Sequence, residues 1–289
     1  MARSDDTTTD GPTYTPAGVC DTPADVYDAL APIYDAMGGE RPFALLVAER
    51  LEELIATRLA QLRARRESPA PASASAAETA LISDAVSLLD LGCGTGTLLL
   101  ALRALHPRWR LCGVDVSPGM LAVAGSKPGH ESVLWARARL PAPLPFTERF
   151  DVVGAFYDTL NHLPDSDALA ATFRTVASVL RPGGLLVFDL NNAFGFETWW
   201  QYRVALELEG RRLDTELDYD PRTRTGRATM GLQSGGLERR FVLQERCFSE
   251  PEVAGALSAA GFSLEIAAPW SHANPDSPSK TWFVATSKR

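Results

Sequence analysis

The sequence predicts an α/β protein: a mostly parallel seven-stranded sheet with one antiparallel strand, helices on both faces, and an inserted antiparallel β-lid. Three observations lead there. The apolar run Leu88-Leu89-Asp90-Leu91 enters a loop with Gly92, Gly94 and Gly96 at alternate positions, and an apolar helix, Leu98-Leu99-Leu100-Ala101-Leu102, follows at once. Strand, glycine loop and helix let backbone approach a ligand at a helix N-terminus. Strand-like and helix-like stretches then alternate with short connections, the pattern of a parallel sheet covered on both faces. The last two strand-like stretches have no helix between them and should pair antiparallel.

In chain order, residues 1–20 are rich in Thr, Asp, Gly and Pro and read as a disordered tail. Residues 21–66 read as an N-terminal helical cap, because Phe43, Leu46, Val47, Leu51, Leu54, Ile55 and Leu59 recur at helical spacing. Arg63-Ala64-Arg65-Arg66 suits the cationic end of that helix. Residues 67–84, with Ser68-Pro69-Ala70-Pro71-Ala72-Ser73, read as a linker into the main domain, 85–289. Strands are expected there at 86–91, 109–115, 132–138, 150–156, 184–190, 263–268 and 281–286, and helices at 97–105, 117–125, 165–180 and 250–260. From about 193 to 249 the pattern changes. Arg203–Glu209 and Leu213–Tyr219 alternate polar and apolar residues, with turns at Asp220-Pro221-Arg222 and Gly235-Gly236 before Phe241-Val242-Leu243-Gln244. That is a one-sided antiparallel sheet, read as a β-lid over the C-terminal edge of the main sheet, where α/β ligands bind.

Composition narrows the partners. A net charge of −8 and a pI near 5.1 oppose a general grip on nucleic-acid phosphates. No apolar run approaches a membrane span, and Met1–Thr7 lacks the apolar centre of a signal peptide. Cys20, Cys93, Cys112 and Cys247 form no C-x-x-C pair, which opposes a zinc site or a disulfide framework and suits a reducing cytoplasm. The expectation is a cytoplasmic monomer or homodimer that acts on a small molecule, with no metal, nucleic acid or membrane.

The glycine loop departs from the dinucleotide fingerprint G-x-G-x-x-G, since Thr97 occupies the sixth position. Asp90 at its entrance suits a cationic ligand better than a pyrophosphate. About 20 residues on, Arg110-Leu111-Cys112-Gly113-Val114-Asp115 ends in an acid placed to take two ribose hydroxyls. Asp115 also suits the start of the helix opened by Ser117-Pro118, although Ser117 can cap that helix itself. Met120 fits either an adenine face or the core.

The spacing D-x-G-x-G-x-G from Asp90 to Gly96 resembles the first motif of class I S-adenosylmethionine-dependent methyltransferases. The order of features from Tyr27 to Lys288 is similar to the small-molecule members. Tyr27-Asp28-Ala29-Leu30-Ala31-Pro32-Ile33-Tyr34-Asp35, Phe150-Asp151-Val152-Val153, and Leu180-Arg181-Pro182-Gly183-Gly184 each resemble a family segment. The resemblance implies a Rossmann-like fold, S-adenosyl-L-methionine as cofactor, and O- or N-methylation of a natural-product or sugar-like acceptor. It implies Asp90 near the methionine moiety and Gly92, Cys93, Gly94 and Gly96 as the floor beneath it. Tyr34, with Tyr27 second, would lean over the cofactor, and Asp115, Val116, Met120 and Phe156 would line its site. The family usually places an acid after strand three, where this chain has Ala136-Arg137-Ala138-Arg139. Arginine cannot accept a hydrogen bond, so the Ala138 backbone is left to read the adenine.

The acceptor end is expected after strand four, in Tyr157-Asp158-Thr159-Leu160-Asn161-His162. His162 is the candidate general base or a packing residue, and Asp158 and Asn161 are candidates to orient acceptor or cofactor. Tyr157, Trp199, Trp200 and Trp270 are candidate acceptor walls. Asp189 and Asn191, ending strand five, face the same edge, while His106, His130 and His272 read as surface residues. Two other classes stay open: a scaffold that binds the same cofactor for a rearrangement or cyclisation, and, against Thr97, an NAD(P)-dependent oxidoreductase.

Overall fold

The computed structural model describes residues 22–37, 40–67, 85–270 and 277–288. The expected tail, the expected linker beyond residue 67, Cys20 and His272 lie outside the described residues. Five strands come first: β1 (Ser87–Leu91), β2 (Arg110–Asp115), β3 (Leu134–Arg137), β4 (Phe150–Ala155) and β5 (Leu180–Asn191). The lid follows as β6 (Arg203–Leu208), β7 (Arg211–Asp220), β8 (Thr225–Ser234) and β9 (Leu237–Arg246), an antiparallel meander. The chain then returns through β10 (Phe262–Trp270) and β11 (Lys280–Ser287). The helices are α1 (Pro23–Leu30), α2 (Glu40–Glu67), α3 (Thr97–Leu105), α4 (Pro118–Ala124), α5 (Ser166–Val179), α6 (Ala193–Trp199) and α7 (Glu250–Ala259). The short helix α6 stands where the sequence reading began the lid.

The main sheet has the order β10-β11-β5-β4-β1-β2-β3. Its strands run parallel except β11, which is antiparallel to both β5 and β10. The reversed strand therefore stands one place in from the edge rather than at it. The reason lies in the residues. Trp282, Phe283, Val284 and Ala285 of β11 are all buried, whereas β10 presents Ser263, Glu265 and the half-exposed Leu264 and Ile266. A strand that is apolar on both faces belongs inside a sheet, and a mixed one at its edge.

Successive side chains of a strand face opposite ways. Leu89 and Val153 point to the layer of α5 and α7, against Phe173, Val176 and Leu257. Leu88 and Val152 point to α2 and α3, where Phe43, Val47, Leu51 and Ile55 recur at four-residue spacing and meet Leu99 and Leu102. A third core joins the lid to the N-terminal cap: Val26, Leu30 and Ile33 pack with Leu213, Met230, Phe241 and Leu243.

Candidate active site

Strand order turns at β1, which has β2 on one side and β4 on the other. The crevice beyond the carboxyl ends of such strands is the ligand site of open α/β sheets. A cavity of about 230 Å3 lies there, lined by Gly92 and Gly94 after β1, Asp115 and Val116 at β2, and Ala138 and Arg139 after β3. Phe156, Tyr157, Thr159 and His162 line it from beyond β4, Met120 from α4, and Tyr27 and Tyr34 from the cap.

Gly92 and Gly94 both have positive φ, and their surroundings differ. A Cβ on Gly92 would lie 2.4 Å from Thr159 Oγ1, whereas one on Gly94 would meet nothing within 4 Å. Gly94 therefore opens directly onto the cavity. Its N–H donates to Asp115 Oδ2 at 2.9 Å, and the Ser117 N–H donates to Oδ1 at 2.8 Å. Ser117 caps α4 through its own hydroxyl, which accepts from Met120 N. A carboxylate has about four acceptor sites, so Asp115 keeps capacity for the cavity it lines. Burial pushes its carboxyl up, opposed by the backbone hydrogen bonds from Ser117 and Gly94.

At the other end, the Tyr27 hydroxyl and His162 Nε2 are 2.9 Å apart. His162 Nδ1 faces the Gln244 carbonyl at 3.5 Å. A carbonyl only accepts, which favours the ring proton on Nδ1 and leaves Nε2 to accept from Tyr27. Burial lowers the His162 pKa, partly offset by the charge of Asp158, while burial followed by the charge of Asp158 holds the Tyr27 phenol well above its usual value. The resting pair is a neutral imidazole and a protonated phenol.

Of the residues expected around the cofactor, Tyr34, Gly92, Gly94, Asp115, Val116, Met120, Ala138 and Phe156 line this cavity, as do Tyr157 and His162. Others stand off it. Asp90 is buried within the sheet, in register with Gly113 and Gly154. Cys93 packs over Gly113, and Gly96 lies under Trp135, so the floor of the cavity comes from Gly92 and Gly94. The Ala138 N–H donates to Asp115 O at 3.0 Å, so this backbone donor is already engaged. Asn161 is fully buried and bonds to the Asn191 and Arg246 carbonyls, which makes it a structural pin. Asp158 sits behind the wall, 3.6 Å from Lys280 Nζ. The tryptophans do not line the cavity: Trp199 is exposed, Trp200 packs on Phe196 under the lid, and Trp270 packs between Phe43 and Trp282.

Four polar residues near the site escaped the sequence reading of roles. Glu245 comes from β9 and Lys280 from β11, and both are buried. Asp189 and Asn191 end β5 at this edge, and the sequence alone gives them no partners. The register that pairs Lys280 with Asn191 is long-range, and no local pattern encodes it. The one local sign was a lysine opening the apolar strand Trp282-Phe283-Val284.

The sequence profile of a family described as a methyltransferase domain matches residues 88–184, from β1 into β5. A protein of Geobacillus sp. (strain WCH70), described as a methyltransferase, is 29% identical over 214 residues, covering 70% of this chain and 84% of that protein. The chain carries a methyltransferase domain and is an S-adenosylmethionine-dependent methyltransferase. A shorter match, 34% identical over 100 residues, is to the malonyl-(acyl-carrier protein) O-methyltransferase of Hahella chejuensis, and it covers 35% of this chain and only 34% of that enzyme. Among solved structures, the sugar N-methyltransferase KedS8 from Streptoalloteichus sp. shares the fold of this methyltransferase at a TM-score of 0.64 and 22% identity, covering 100% of this chain and 99% of that one. CalS10, an amino pentose methyltransferase from Micromonospora echinaspora, does so at 0.57 and 24%, covering 90% and 96%.

S-adenosylmethionine fits the methyltransferase's own residues. The space above Gly94 is open, and Asp115 lines it with acceptor capacity to spare for ribose hydroxyls. Tyr34 and Met120 add apolar contact surface.

Proposed function

We propose that this methyltransferase alkylates an amine on a small, sugar-like acceptor, and that Tyr27 and His162 together receive the proton the nucleophile sheds. The observation that carries the reading is the acidic setting of His162: ligand atoms of Asp158, His162 and Glu245 lie within 4.8 Å of one another. The charge of Asp158 attracts a cation to the wall beside Tyr27 and stabilises the imidazolium that forms there.

Asp115 would hold the ribose hydroxyls, Gly92 and Gly94 would form the floor, and Tyr34 and Met120 would flank the nucleoside. When bound, S-adenosylmethionine supplies a methyl group already activated by its sulfonium. The protein's remaining work is alignment and proton removal, and alignment alone can account for roughly 7–11 kcal/mol. An ammonium drawn to the acidic wall gives its proton to Tyr27 Oη as the phenol proton passes to His162 Nε2. The phenol ends neutral and the imidazole charged. The amine that remains needs no stronger base. The sugar N-methyltransferase and the amino pentose methyltransferase that share this fold support the reading by the acceptors in their names.

The test pairs amino sugars with the matching hydroxyl sugars and follows methyl transfer by mass spectrometry. A single added methyl on the amine, with release of S-adenosylhomocysteine, is expected. Methylation of the hydroxyl sugars alone would replace the amine reading, and cofactor consumption without any methylated product would favour a rearrangement. Tyr27→Phe should lower turnover by about 10²-fold, the lower range for a lost general base, with S-adenosylhomocysteine affinity kept.

A further inference from the structure

Asp189 and Lys280 form a buried ion pair that the proposed chemistry does not use. Lys280 Nζ donates to Asp189 Oδ1 at 3.1 Å, and their side chains are 5% and 0% exposed. A buried pair of this kind is seldom better for stability than apolar packing. What it holds is uncommon backbone. Tyr157 and Asp158 are consecutive non-glycine residues with φ of 59° and 61°, a costly arrangement that persists only when its surroundings impose it.

Asp189 imposes it. Its Oδ2 accepts from Tyr157 N at 2.9 Å and its Oδ1 from Asp158 N at 3.1 Å. Two adjacent N–H groups converging on one point form a seat for an anion. An anion buried there needs a cation, and Lys280 brings one from the reversed strand β11, in register with Asn191. The far end of the same turn is fixed by Asn161, whose Oδ1 accepts from Asn191 N at 2.9 Å. Tyr157 at the first of these fixings and His162 next to the second both line the cavity.

We propose that Asp189 and Lys280 are positioning residues: they lock the left-handed Tyr157-Asp158 turn and so hold the His162 ring in register with the Tyr27 hydroxyl. The inference deepens the proposed function, since it rests on His162 and Tyr27 handling the proton. It also gives a reason for a reversed strand that opens with lysine. The groups facing His162 are Asp158 from its own loop, Glu245 from β9, Lys280 from β11 and the Tyr27 hydroxyl from α1. Removal of Lys280 leaves the Asp158 charge unopposed at His162.

The test is nitrogen-15 NMR of the histidine rings in the full chain, with His162 assigned by His162→Gln, for wild type, Lys280→Met and Asp189→Asn. Wild type should show His162 as one tautomer, protonated on Nδ1, with Nε2 accepting a hydrogen bond. Lys280→Met should lose the single-tautomer signature and move the titration to higher pH by about half a unit or more. Asp189→Asn, which keeps the size of the side chain, should lose the same signature. S-adenosylhomocysteine binding by calorimetry should stay within about threefold in both. A variant that unfolds cooperatively and retains the wild-type His162 spectrum overturns the proposal, and Asp189→Asn decides it alone if Lys280→Met does not fold. Failure of wild type to bind S-adenosylhomocysteine would strike the functional reading instead, and the spectra would still decide the positioning role.

Discussion

Two neighbouring glycines do different work at the residue scale. Gly94→Ala would place a methyl into open cavity, and Gly92→Ala would drive one into Thr159, whose hydroxyl ties back to Phe156 O. Left-handed alanine costs about 1–2 kcal/mol, so Gly94→Ala should fold with a modestly lowered Tm while binding of S-adenosylhomocysteine weakens more than about tenfold, or 1.4 kcal/mol. Gly92→Ala adds overpacking and should lose about 2–4 kcal/mol of stability in denaturant titration. Equal stability losses in the two variants would mean that Gly94 does not face the ligand. Glu245 gives a second residue-scale prediction. Burial, then the charge of Asp158, pushes its carboxyl well above the usual value, and Asn191 Nδ2 donates to its Oε2 at 2.9 Å. A group raised on folding contributes stability that is fully present below its unfolded pKa, roughly 4.3, and lost as pH rises above that value. Glu245→Gln keeps an acceptor for Asn191 and has nothing to ionise. Its Tm should match wild type near pH 4 and exceed it increasingly toward pH 8. A constant offset across that range would show that Glu245 does not titrate differently on folding.

At the scale of elements, α7 is tied to the lid by one carboxylate. Ser249 and Glu252 form a reciprocal cap at its N-terminus, and Glu252 also takes two hydrogen bonds from Arg224, at 2.6 and 2.7 Å, in the loop between β7 and β8. Burial alone would raise the Glu252 pKa, but the Arg224 bonds and the Ser249 donors outweigh it and hold the carboxyl well below its usual range. Stability from a lowered pKa is present above about pH 4.3 and disappears as pH falls below it. Glu252→Gln should therefore cost about 2–3 kcal/mol at pH 7, the scale of a charged hydrogen bond, and the deficit in Tm should narrow below pH 4. A deficit independent of pH would mean the bridge adds nothing beyond packing. The helices and strands themselves were legible because their signals are local. Apolar residues at spacings of two or four placed β1, β2, β4, α3 and α5 within a residue or two of their ends. The short α6 was hidden by its glycine and three aromatic residues, Phe194-Gly195-Phe196-Glu197-Thr198-Trp199, a weak helical sequence made stable by the Asn192 cap and by packing against the lid.

The whole molecule shows which parts of the site were never going to be local. The glycine loop, Asp115 and His162 each sit beside their own strand and announce themselves in sequence. The lid's Glu245 and the cap's Tyr27 meet His162 across 83 and 135 residues of chain, and only the third core brings them there. That core docks the cap on the lid through Val26 and Leu30 of α1 and Ile33 just after it, while two aspartates of the cap reach the loops of the main sheet. Asp28 Oδ1 accepts from Gly119 N at 2.7 Å and from the Ser117 hydroxyl, and Asp35 takes Lys127 Nζ at 2.7 Å and the Thr95 hydroxyl at 2.6 Å. The cap is thus held on one side by burial and on the other by hydrogen bonds at the loops that line the cavity. Asp28→Ala removes a hydrogen-bond anchor and leaves the apolar one, so the fold should survive and the ligand linkage should weaken. At 100 times its Kd, S-adenosylhomocysteine stabilises a protein by about 2.7 kcal/mol, and a tenfold weaker Kd at the same concentration leaves about 1.4 kcal/mol. The ligand-induced rise in Tm should fall by about half in Asp28→Ala, and hydrogen exchange should show the loss of ligand protection concentrated in residues 22–37 rather than in β1 and β4. Unchanged protection of that segment, with the Tm rise intact, would mean that the cap stays seated through its apolar contacts alone and that Asp28 is only a cap for α4.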